Sequence, residues 1–177
     1  MTRCYITDRK RADVVGTSRR LIGDGIDMIQ IREKDLEAAE LLDLAGKIVA
    51  LARGTHTRVL VNDRLDVALA AGAHGVHLPS DGLPAHLVRP LIDLVGVSTH
   101  TIDDVRSAER DGADFVVFGP VFDTPGKRPI GLNALKDACR AVRIPVLAIG
   151  GLTPDNAALA VGAGAAGIAA IRMFQRS

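Results

Sequence analysis

Aromatic residues are scarce in this chain of 177 residues, which has four Phe, one Tyr and no Trp. Proteins that bind single-stranded nucleic acid stack the bases on aromatic side chains, so this shortage argues against such a partner. Neither sign of charge is in excess, because 22 Lys and Arg residues stand against 21 Asp and Glu residues. No net field favours a nucleic acid or a membrane surface. We therefore expect neither of them as a partner.

Cysteines and long apolar runs are also lacking. Cys4 and Cys139 are the two cysteines, and their spacing fits neither a disulfide framework nor a zinc site. The first residues have no long apolar run of the kind that a secretion signal carries. No apolar stretch is long enough to span a bilayer without interruption. The sequence therefore predicts a cytoplasmic protein with two reduced thiols.

The chain does contain short apolar runs that alternate with amphipathic segments from end to end. Eight runs are predicted as strands: Cys4–Thr7, Met28–Arg32, Arg58–Asn62, Gly75–Leu78, Val95–Ser98, Phe115–Gly119, Val146–Ile149 and Gly167–Ile171. Most of them are continuously apolar, which is typical of parallel strands covered by helices. We expect an α/β protein with a single domain over residues 1–177, folded as a closed (β/α)8 TIM barrel. An open doubly wound sheet is the alternative.

Helical segments are predicted between the strands. Those located with bounds are Glu37–Arg53, Arg64–Ala71, Ala85–Ile92, Ile102–Arg110, Leu132–Val142 and Pro154–Val161. Only Arg172–Ser177 follow the last predicted strand, so the final helix of the barrel is expected to be short or missing. A partner subunit could cover that flank, and a homo-oligomer is therefore a hypothesis.

The second predicted strand breaks the usual rule of burial. Alternate side chains of a strand share a face, so Gln30, Arg32 and Lys34 would point one way and Ile29 and Ile31 the other. Burying unpaired cations is costly. The polar face is therefore expected to open onto an anionic ligand. The alternative is an edge strand with a solvated polar face.

Polar residues, or a pair of glycines, follow nearly every predicted strand. The joints at the opposite ends of the strands, from helix to strand, consist of Gly and Ala. The residues that follow the strands are Arg32, Lys34, Asn62, Asp63, His77, Ser98, His100, Thr124, Lys127, Gly150, Gly151 and Arg172. The functional groups of such barrels sit at the carboxyl ends of the strands. The pattern therefore predicts that these groups meet at one mouth of the barrel.

Gly150 and Gly151 come after the seventh predicted strand, where barrels commonly bind phosphate. Glycine lets backbone N–H groups approach the oxygens closely, although a tight turn alone would also require it. His100 is the best candidate for a general acid or base, because it follows a strand and can titrate near neutrality. No cluster of His and Cys suggests zinc.

Asp63 is a candidate ligand for magnesium, which prefers a few carboxylates together with substrate phosphate. Asp81 could join it. The equally acceptable interpretation is an ion pair of Asp63 with Arg32 or Arg64. The residues alone do not choose between the two.

Several motifs occur in an order that resembles the thiamine phosphate synthase/TenI superfamily. They are Gln30-Ile-Arg-Glu-Lys34, Val61-Asn-Asp63, Gly75-Val-His-Leu78, Gly96-Val-Ser-Thr-His100, Gly112-Ala-Asp114, Phe118-Gly-Pro-Val-Phe122, Thr124, Lys127 and Ala148-Ile-Gly-Gly151. The resemblance covers essentially the whole chain. It implies a (β/α)8 barrel, commonly oligomeric, that acts on the phosphorylated thiazole of thiamine biosynthesis.

Two activities are implied by this resemblance. The synthase joins a pyrimidine diphosphate to thiazole phosphate with Mg²⁺, and the TenI-like tautomerase shifts a proton on carboxythiazole phosphate without a metal. In the synthase, Asp63 would bind the metal, and Ser98 and Thr124 would line the site. The groups that would hold the diphosphate are Gln30, Arg32, Lys34, Asn62 and Lys127. In the tautomerase, His100 would carry the proton.

The sequence departs from the synthase pattern at three places. The synthase has Gly-Gln-x-Asp after the fourth strand, and Gly82 stands where its metal-binding Asp is expected. Gly126 replaces a threonine of the Thr-x-Thr-Lys loop, and Arg172 replaces a serine after the last strand. Losing a magnesium ligand weakens the stabilisation of a departing diphosphate. Asp81 could replace that ligand with a shift of one position.

These departures favour a TenI-like thiazole tautomerase that has no cofactor and uses His100 for proton transfer. Its phosphate would lie at Gly150 and Gly151, assisted by Arg172. Arg32 and Lys127 would steer the carboxylate of the substrate. The first alternative is a thiamine phosphate synthase that requires Mg²⁺, and the second is a non-catalytic protein that binds thiazole phosphate. In each case the partner is a small phosphorylated heterocycle.

Overall fold

Eight parallel strands form a closed barrel in the computed structural model of the chain, which describes residues 1–175. The strands are β1 (Thr2–Ile6), β2 (Met28–Ile31), β3 (Arg58–Asn62), β4 (Gly75–Leu78), β5 (Leu94–Thr99), β6 (Phe115–Phe118), β7 (Val146–Ile149) and β8 (Gly167–Ala170). Each strand pairs with its neighbours in sequence, and β8 pairs with β1. The predicted TIM barrel is confirmed, and the open sheet is excluded.

Helices connect successive strands. They are α1 (Val14–Gly23), α2 (Ala38–Ala52), α3 (Leu65–Ala71), α4 (Ala85–Val88), α5 (Ile102–Arg110), α6 (Gly131–Ala141) and α7 (Ala157–Gly162). The sequence located no bounds for α1. It also predicted that α4 would reach Ile92, but Pro90 cannot donate the backbone hydrogen bond that a helix interior needs. None of these helices is long and apolar enough to cross a bilayer in the described residues 1–175.

Alternate side chains divide the strands between two cores. One core lies inside the barrel and contains Cys4, Ile6, Met28, Leu60, Phe115, Val117, Leu147 and Ala169. The other lies between the barrel and the helices, and Ile29 and Ile31 belong to it with at most 1% of their surface exposed. The predicted packing of the two isoleucines under a helix is thus confirmed. Because β2 pairs with β1 and β3 along its length, the edge-strand alternative is excluded.

The flank between β8 and β1 is covered by a turn within residues 1–175, not by a helix. Phe174 is buried, and its ring meets Tyr5 edge-on with the centroids 6.4 Å apart. Arg20 donates a hydrogen bond to the carbonyl of Phe174 at 2.8 Å. Gln175 donates to the Tyr5 hydroxyl and to the carbonyl of Asp8. The last described residues therefore tie β8 to α1 and to the loop after β1.

Candidate active site

Buried polar side chains occupy one half of the barrel interior at the carboxyl ends of the strands. Gln30 on β2 donates a hydrogen bond of 3.0 Å to the Oδ1 atom of Asn62 on β3, and both side chains are buried. His77 on β4 lies directly beside Asn62 in the strand register. Ser98 on β5 completes the row through its hydrogen bond to His77, described below. The structure therefore brings these four residues together.

His77 and Ser98 form one hydrogen-bonded pair. The Nε2 atom of His77 lies 2.8 Å from the hydroxyl oxygen of Ser98. Burial, aided by the nearby positive charge of Arg32, lowers the pKa of His77 to about 4. The imidazole is thus neutral at physiological pH.

Arg32 and Lys34 follow β2, which ends at Ile31. The backbone N–H of Arg32 donates to the hydroxyl of Thr7 at 2.9 Å, and the Arg32 side chain is exposed. Lys34 is exposed and lies in a turn, beyond the last residue of the strand. Strand alternation therefore does not determine where Lys34 points, and the prediction that Lys34 shares a strand face with Gln30 does not hold.

Asp63 has a left-handed backbone with a φ of 63°, and it is exposed at the end of β3. The N–H of Arg64 donates to the carbonyl of Asn62 at 2.7 Å, which closes a three-residue turn around Asp63. Such turns with positive φ are rare and strained, and they often occur at functional sites. The side chain of Arg64 instead binds both carboxylate oxygens of Asp66.

The alternative to a metal ligand was an ion pair of Asp63 with Arg32 or Arg64. Among the described residues, Asp63 forms neither of these ion pairs. Residues 1–175 contain no group of three or more His, Cys, Asp or Glu residues suited to a metal. Magnesium, however, commonly binds one or two carboxylates together with substrate phosphate and water. The single carboxylate of Asp63 fits that pattern. Asp81 is exposed in the turn after β4.

His100 follows β5 and contacts the end of β6. Its Nδ1 atom lies 2.5 Å from the carbonyl oxygen of Gly119, which can only accept a hydrogen bond. In the neutral ring Nδ1 therefore carries the proton, and Nε2 is left as the acceptor. The backbone N–H of His100 donates to the carboxylate of Asp104 at 3.0 Å. His100 is exposed and has the geometry of a general base.

Gly150 and Gly151 follow β7 with φ values of 95° and 63°, which favour glycine. A Cβ atom on Gly150 would collide with Pro120, and one on Gly151 would collide with the backbone at Asp123. A Cβ on Gly150 would also lie 3.2 Å from the hydroxyl of Thr124. The tight turn is therefore a sufficient reason for both glycines, and their role in phosphate binding stays a prediction.

Lys127 and Arg172 are exposed at the same end of the barrel. The backbone N–H of Lys127 donates to the carbonyl of Thr124 at 3.0 Å, so that Lys127 lies in the loop beside Gly150. Arg172 comes two residues after the end of β8. Neither side chain forms an ion pair within the part of the chain that the structure describes. Both cations remain candidates for an anionic ligand.

Glu33 is a buried residue that the sequence argument did not assign. It is 6% exposed, and its two carboxylate oxygens accept hydrogen bonds of 3.1 and 3.2 Å from the backbone N–H of Arg9. Glu33 therefore fixes the loop after β1 against the loop after β2. Glu33 stands between Arg32 and Lys34 in the sequence, and this position was a signal for a structural role of its carboxylate.

A cavity of about 440 Å³ lies at the other end of the barrel. Its lining residues precede the strands or begin them: Thr2, Met28, Arg58, His74, Asp93, Leu94, Asp114, Phe115, Pro145 and Leu147. The carboxyl ends of the strands bear a different set of groups. Contacts link part of that set from β2 to the end of β6, through the pairs Gln30–Asn62 and His77–Ser98 and then through His100 to Gly119. The gathering of the exposed cations at the same mouth stays a prediction.

The fold and this mouth define a (β/α)8 barrel with polar groups at the carboxyl ends of its strands. The family model described as thiamine monophosphate synthase matches residues 4–174. The chain therefore belongs to the thiamine monophosphate synthase (TMP-TENI) family. This confirms the resemblance that the sequence motifs indicated.

Several relatives are similar over most of this chain. A thiamine-phosphate synthase of Roseiflexus castenholzii is 43% identical over 179 residues, covering 94% of this chain and 77% of the relative. One of Anaeromyxobacter dehalogenans is 46% identical over 167 residues, covering 90% and 75%. The solved structure of a thiamine phosphate pyrophosphorylase from Pyrococcus furiosus aligns with a TM-score of 0.89 and 35% identity, covering 96% and 85%. These names agree better with the synthase alternative than with the tautomerase that the sequence favoured.

Proposed function

We propose that this protein is a thiamine-phosphate synthase. The observation that carries the proposal is the set of relatives named thiamine-phosphate synthase that are 40 to 46% identical to this chain. Each of them covers at least 90% of it. The polar groups at the carboxyl ends of β2 and β3 support it, because they suit a diphosphate.

In the proposed reaction, the bond between the pyrimidine methylene carbon and the diphosphate oxygen breaks, and the diphosphate leaves with the electron pair. The thiazole nitrogen then forms a bond to that carbon. Charge therefore develops on the leaving diphosphate. Groups that stabilise this charge lower the barrier of the reaction.

The chain offers such groups at one side of the mouth. Arg32 follows β2 directly. Gln30 and Asn62 hold each other by a hydrogen bond, so that their remaining polar atoms are oriented before a substrate binds. Lys34 and Lys127 would add positive charge. Asp63 would hold a magnesium ion, which would neutralise part of the diphosphate charge. Ser98 and Thr124 would contact the substrate with their hydroxyls.

The turn after β4 limits how the metal site can be built. The N–H of Gly82 donates to the carbonyl of Pro79, and a Cβ atom on Gly82 would lie 2.8 Å from the Pro79 ring. A carboxylate at position 82 would therefore require this turn to change. A synthase activity would therefore depend on Asp63 as the magnesium ligand. Asp81, which directly precedes Gly82, is the other candidate carboxylate.

A thiazole tautomerase is the second candidate, and a specific observation favours it. The bond from Nδ1 of His100 to the Gly119 carbonyl leaves Nε2 as an acceptor for a proton. That is the state that a general base needs, and the proton shift requires no metal. Gly150 and Gly151 would bind the phosphate in this reading, with Arg172 beside them. A binder without either activity is the remaining possibility.

Two assays of the same protein test the proposal. With pyrimidine diphosphate, thiazole phosphate and Mg²⁺, we expect thiamine phosphate and diphosphate to form, and we expect a chelator to stop the reaction. Asp63→Asn should reduce the rate by at least about 100-fold because it removes the magnesium ligand. Asp43→Asn, which changes an exposed carboxylate on α2, should not alter the rate.

The second assay supplies carboxythiazole phosphate without a metal. The proposal would be wrong if the protein rapidly aromatised this substrate and showed no synthase activity. If His100→Ala abolished the aromatisation and His86→Ala preserved it, the protein would be a tautomerase. His86 is a suitable control because it is exposed on α4. If calorimetry showed binding of thiazole phosphate and neither assay showed activity, the protein would be a non-catalytic binder.

A further inference from the structure

We propose that His77 is a positioning residue, whose Nε2–H holds the Ser98 hydroxyl so that the hydroxyl proton is directed into the barrel mouth. The effect on turnover rests on the proposed function, whereas the orientation itself does not. The sequence placed His77 only among the polar residues expected at the mouth of the barrel. Its packing and its hydrogen bond indicate a more specific role.

The strand register places the imidazole below the hydroxyl. His77 on β4 pairs with Gly96 on β5, and Ser98 lies two residues further along the same face. The resulting distance from Nε2 to the hydroxyl oxygen is 2.8 Å. His77 is only 2% exposed. The ring is thus enclosed beneath the site and reaches it through Ser98.

Gly96 leaves the space that the ring needs. A Cβ atom at Gly96 would lie 2.8 Å from Nδ1 of His77 and would also collide with the ring of Phe115. The rings of His77 and Phe115 are tilted by 43°, with their centroids 6.0 Å apart. The imidazole is therefore confined between two neighbouring strands. It cannot turn away from Ser98 without disturbing this packing.

The direction of the hydrogen bond follows from the chemistry of the mouth. A neutral imidazole has one N–H, and it can either donate to the hydroxyl oxygen of Ser98 or accept its proton. An anionic ligand beside Arg32 can only accept hydrogen bonds. The stable arrangement with such a ligand therefore has Nε2–H donating to Ser98 and Ser98 donating to the ligand.

The reverse arrangement would make the pair a nucleophile and its base, as in hydrolases. Such a base is oriented by a third group bonded to its other nitrogen, and among the described residues the Nδ1 atom of His77 has no such partner. Ser98 is therefore a hydrogen-bond donor to the ligand, and His77 acts through it. This distinction decides which nitrogen of the ring carries the proton.

Nitrogen NMR of the wild-type protein with ¹⁵N-labelled histidine tests the orientation without any variant. At pH 7 with inorganic diphosphate and Mg²⁺, we expect His77 to be neutral with its proton on Nε2. A proton on Nδ1 instead would overturn the proposal. This result does not depend on which reaction the protein catalyses, so it separates the proposal from the proposed function.

A double-mutant cycle tests whether His77 acts through Ser98. By calorimetry with inorganic diphosphate and Mg²⁺, Ser98→Ala and His77→Leu should each weaken binding by about fivefold. The double variant should bind no worse than Ser98→Ala alone, because the two residues act as one unit. Fully additive effects would mean that His77 is only structural, and would overturn the proposal.

Two further variants complete the test. His77→Gln supplies an amide donor and should restore most of the diphosphate affinity that His77→Leu loses. His56→Leu makes the same apolar change in an exposed histidine before β3 and should leave the affinity unchanged. If His77→Gln binds as weakly as His77→Leu while its circular dichroism is native, the donor role is wrong. In the synthase assay we expect the loss in His77→Leu to fall on kcat more than on KM.

Discussion

Burial of the neutral imidazole of His77 makes the free energy of unfolding depend on pH. The pKa is about 4 in the folded protein, against 6.5 for the free side chain, mainly because of burial and secondly because of Arg32. Between these values the unfolded chain binds a proton that the folded chain does not, so stability falls as the pH falls. We expect a loss of about 2 kcal/mol between pH 7 and pH 5.

Urea unfolding at the two pH values measures this loss. His77→Gln has no titrating group and should reduce the pH dependence by about the same 2 kcal/mol. If the free energy of unfolding changed equally between pH 5 and pH 7 in the wild type and in His77→Gln, His77 would not be buried in the neutral state.

The glycine pair after β7 gives a second prediction. Gly150→Ala should destabilise the fold by at least about 1 kcal/mol, because the residue has a positive φ and its Cβ would collide with Pro120. Gly54→Ala has a similar φ but free space, and it measures the backbone strain alone. Gly46→Ala lies within α2 with free space and should stabilise by about 0.5–1 kcal/mol. Equal urea midpoints for Gly150→Ala and Gly54→Ala would show that the collision has no cost.

The start of α5 holds His100 in place. Thr101 and Asp104 form a capping box, and the carboxylate of Asp104 also accepts the backbone N–H of His100. Partial burial acts to raise the pKa of Asp104, but hydrogen bonds from the N–H of His100 and from Thr101 outweigh it and lower the pKa. The carboxylate is thus part of the scaffold of the site.

Asp104→Ala should therefore affect both stability and turnover. The lost cap should cost about 1 kcal/mol of unfolding free energy. Misplacement of His100 should reduce kcat by about tenfold in an assay that depends on this residue. Asp103→Ala is the matched control, because its side chain is 93% exposed on the same turn. A loss of stability in Asp104→Ala with unchanged kcat would show that the helix start does not position His100.

The turn after β8 packs against the flank between β8 and β1 in the described residues. Phe174→Ala should destabilise the protein by about 3 kcal/mol, because it removes a buried ring that packs against Tyr5. Leu159→Ala removes an exposed side chain, 55% accessible, and should change stability by less than about 0.5 kcal/mol. Chemical unfolding compares the two variants. Similar values for both would mean that the turn adds little to the closure of the barrel.

The sequence predicted those features that depend on a repeated pattern. The eight apolar runs fixed the strands within one or two residues, since each must be buried on both sides. The alternation in β2 placed Gln30 inside the barrel and Ile29 outside it, as found. It did not extend to Lys34, because nothing in the alternation marks where a strand ends.

Other features depend on contacts between distant residues and left no such pattern. Arg64 binds Asp66 and not Asp63, whose backbone forms a strained turn. The enclosure of His77 depends on Gly96 from the next strand. The tie between Gln175 and the loop after β1 joins opposite ends of the chain. A single sequence does not indicate such pairs.

The barrel interior as a whole has a polar half and an apolar half. Gln30, Asn62, His77 and Ser98 line it on β2 to β5. The remaining strands contribute apolar side chains at this level, among them Ile6, Val117, Ile149 and Ala169. A ligand with a charged group and an unsaturated heterocyclic ring would match both halves. This is the chemical character shared by the substrates of the two candidate reactions.

The loop after β6 is joined to the end of β7 by two backbone hydrogen bonds. The N–H of Val121 donates to the carbonyl of Ile149, and the N–H of Phe122 donates to that of Gly150. Because this loop also carries Thr124 and Lys127, both residues are tied to the glycine pair through the backbone before any ligand is bound. We therefore expect the amide proton of Val121 to exchange slowly with solvent.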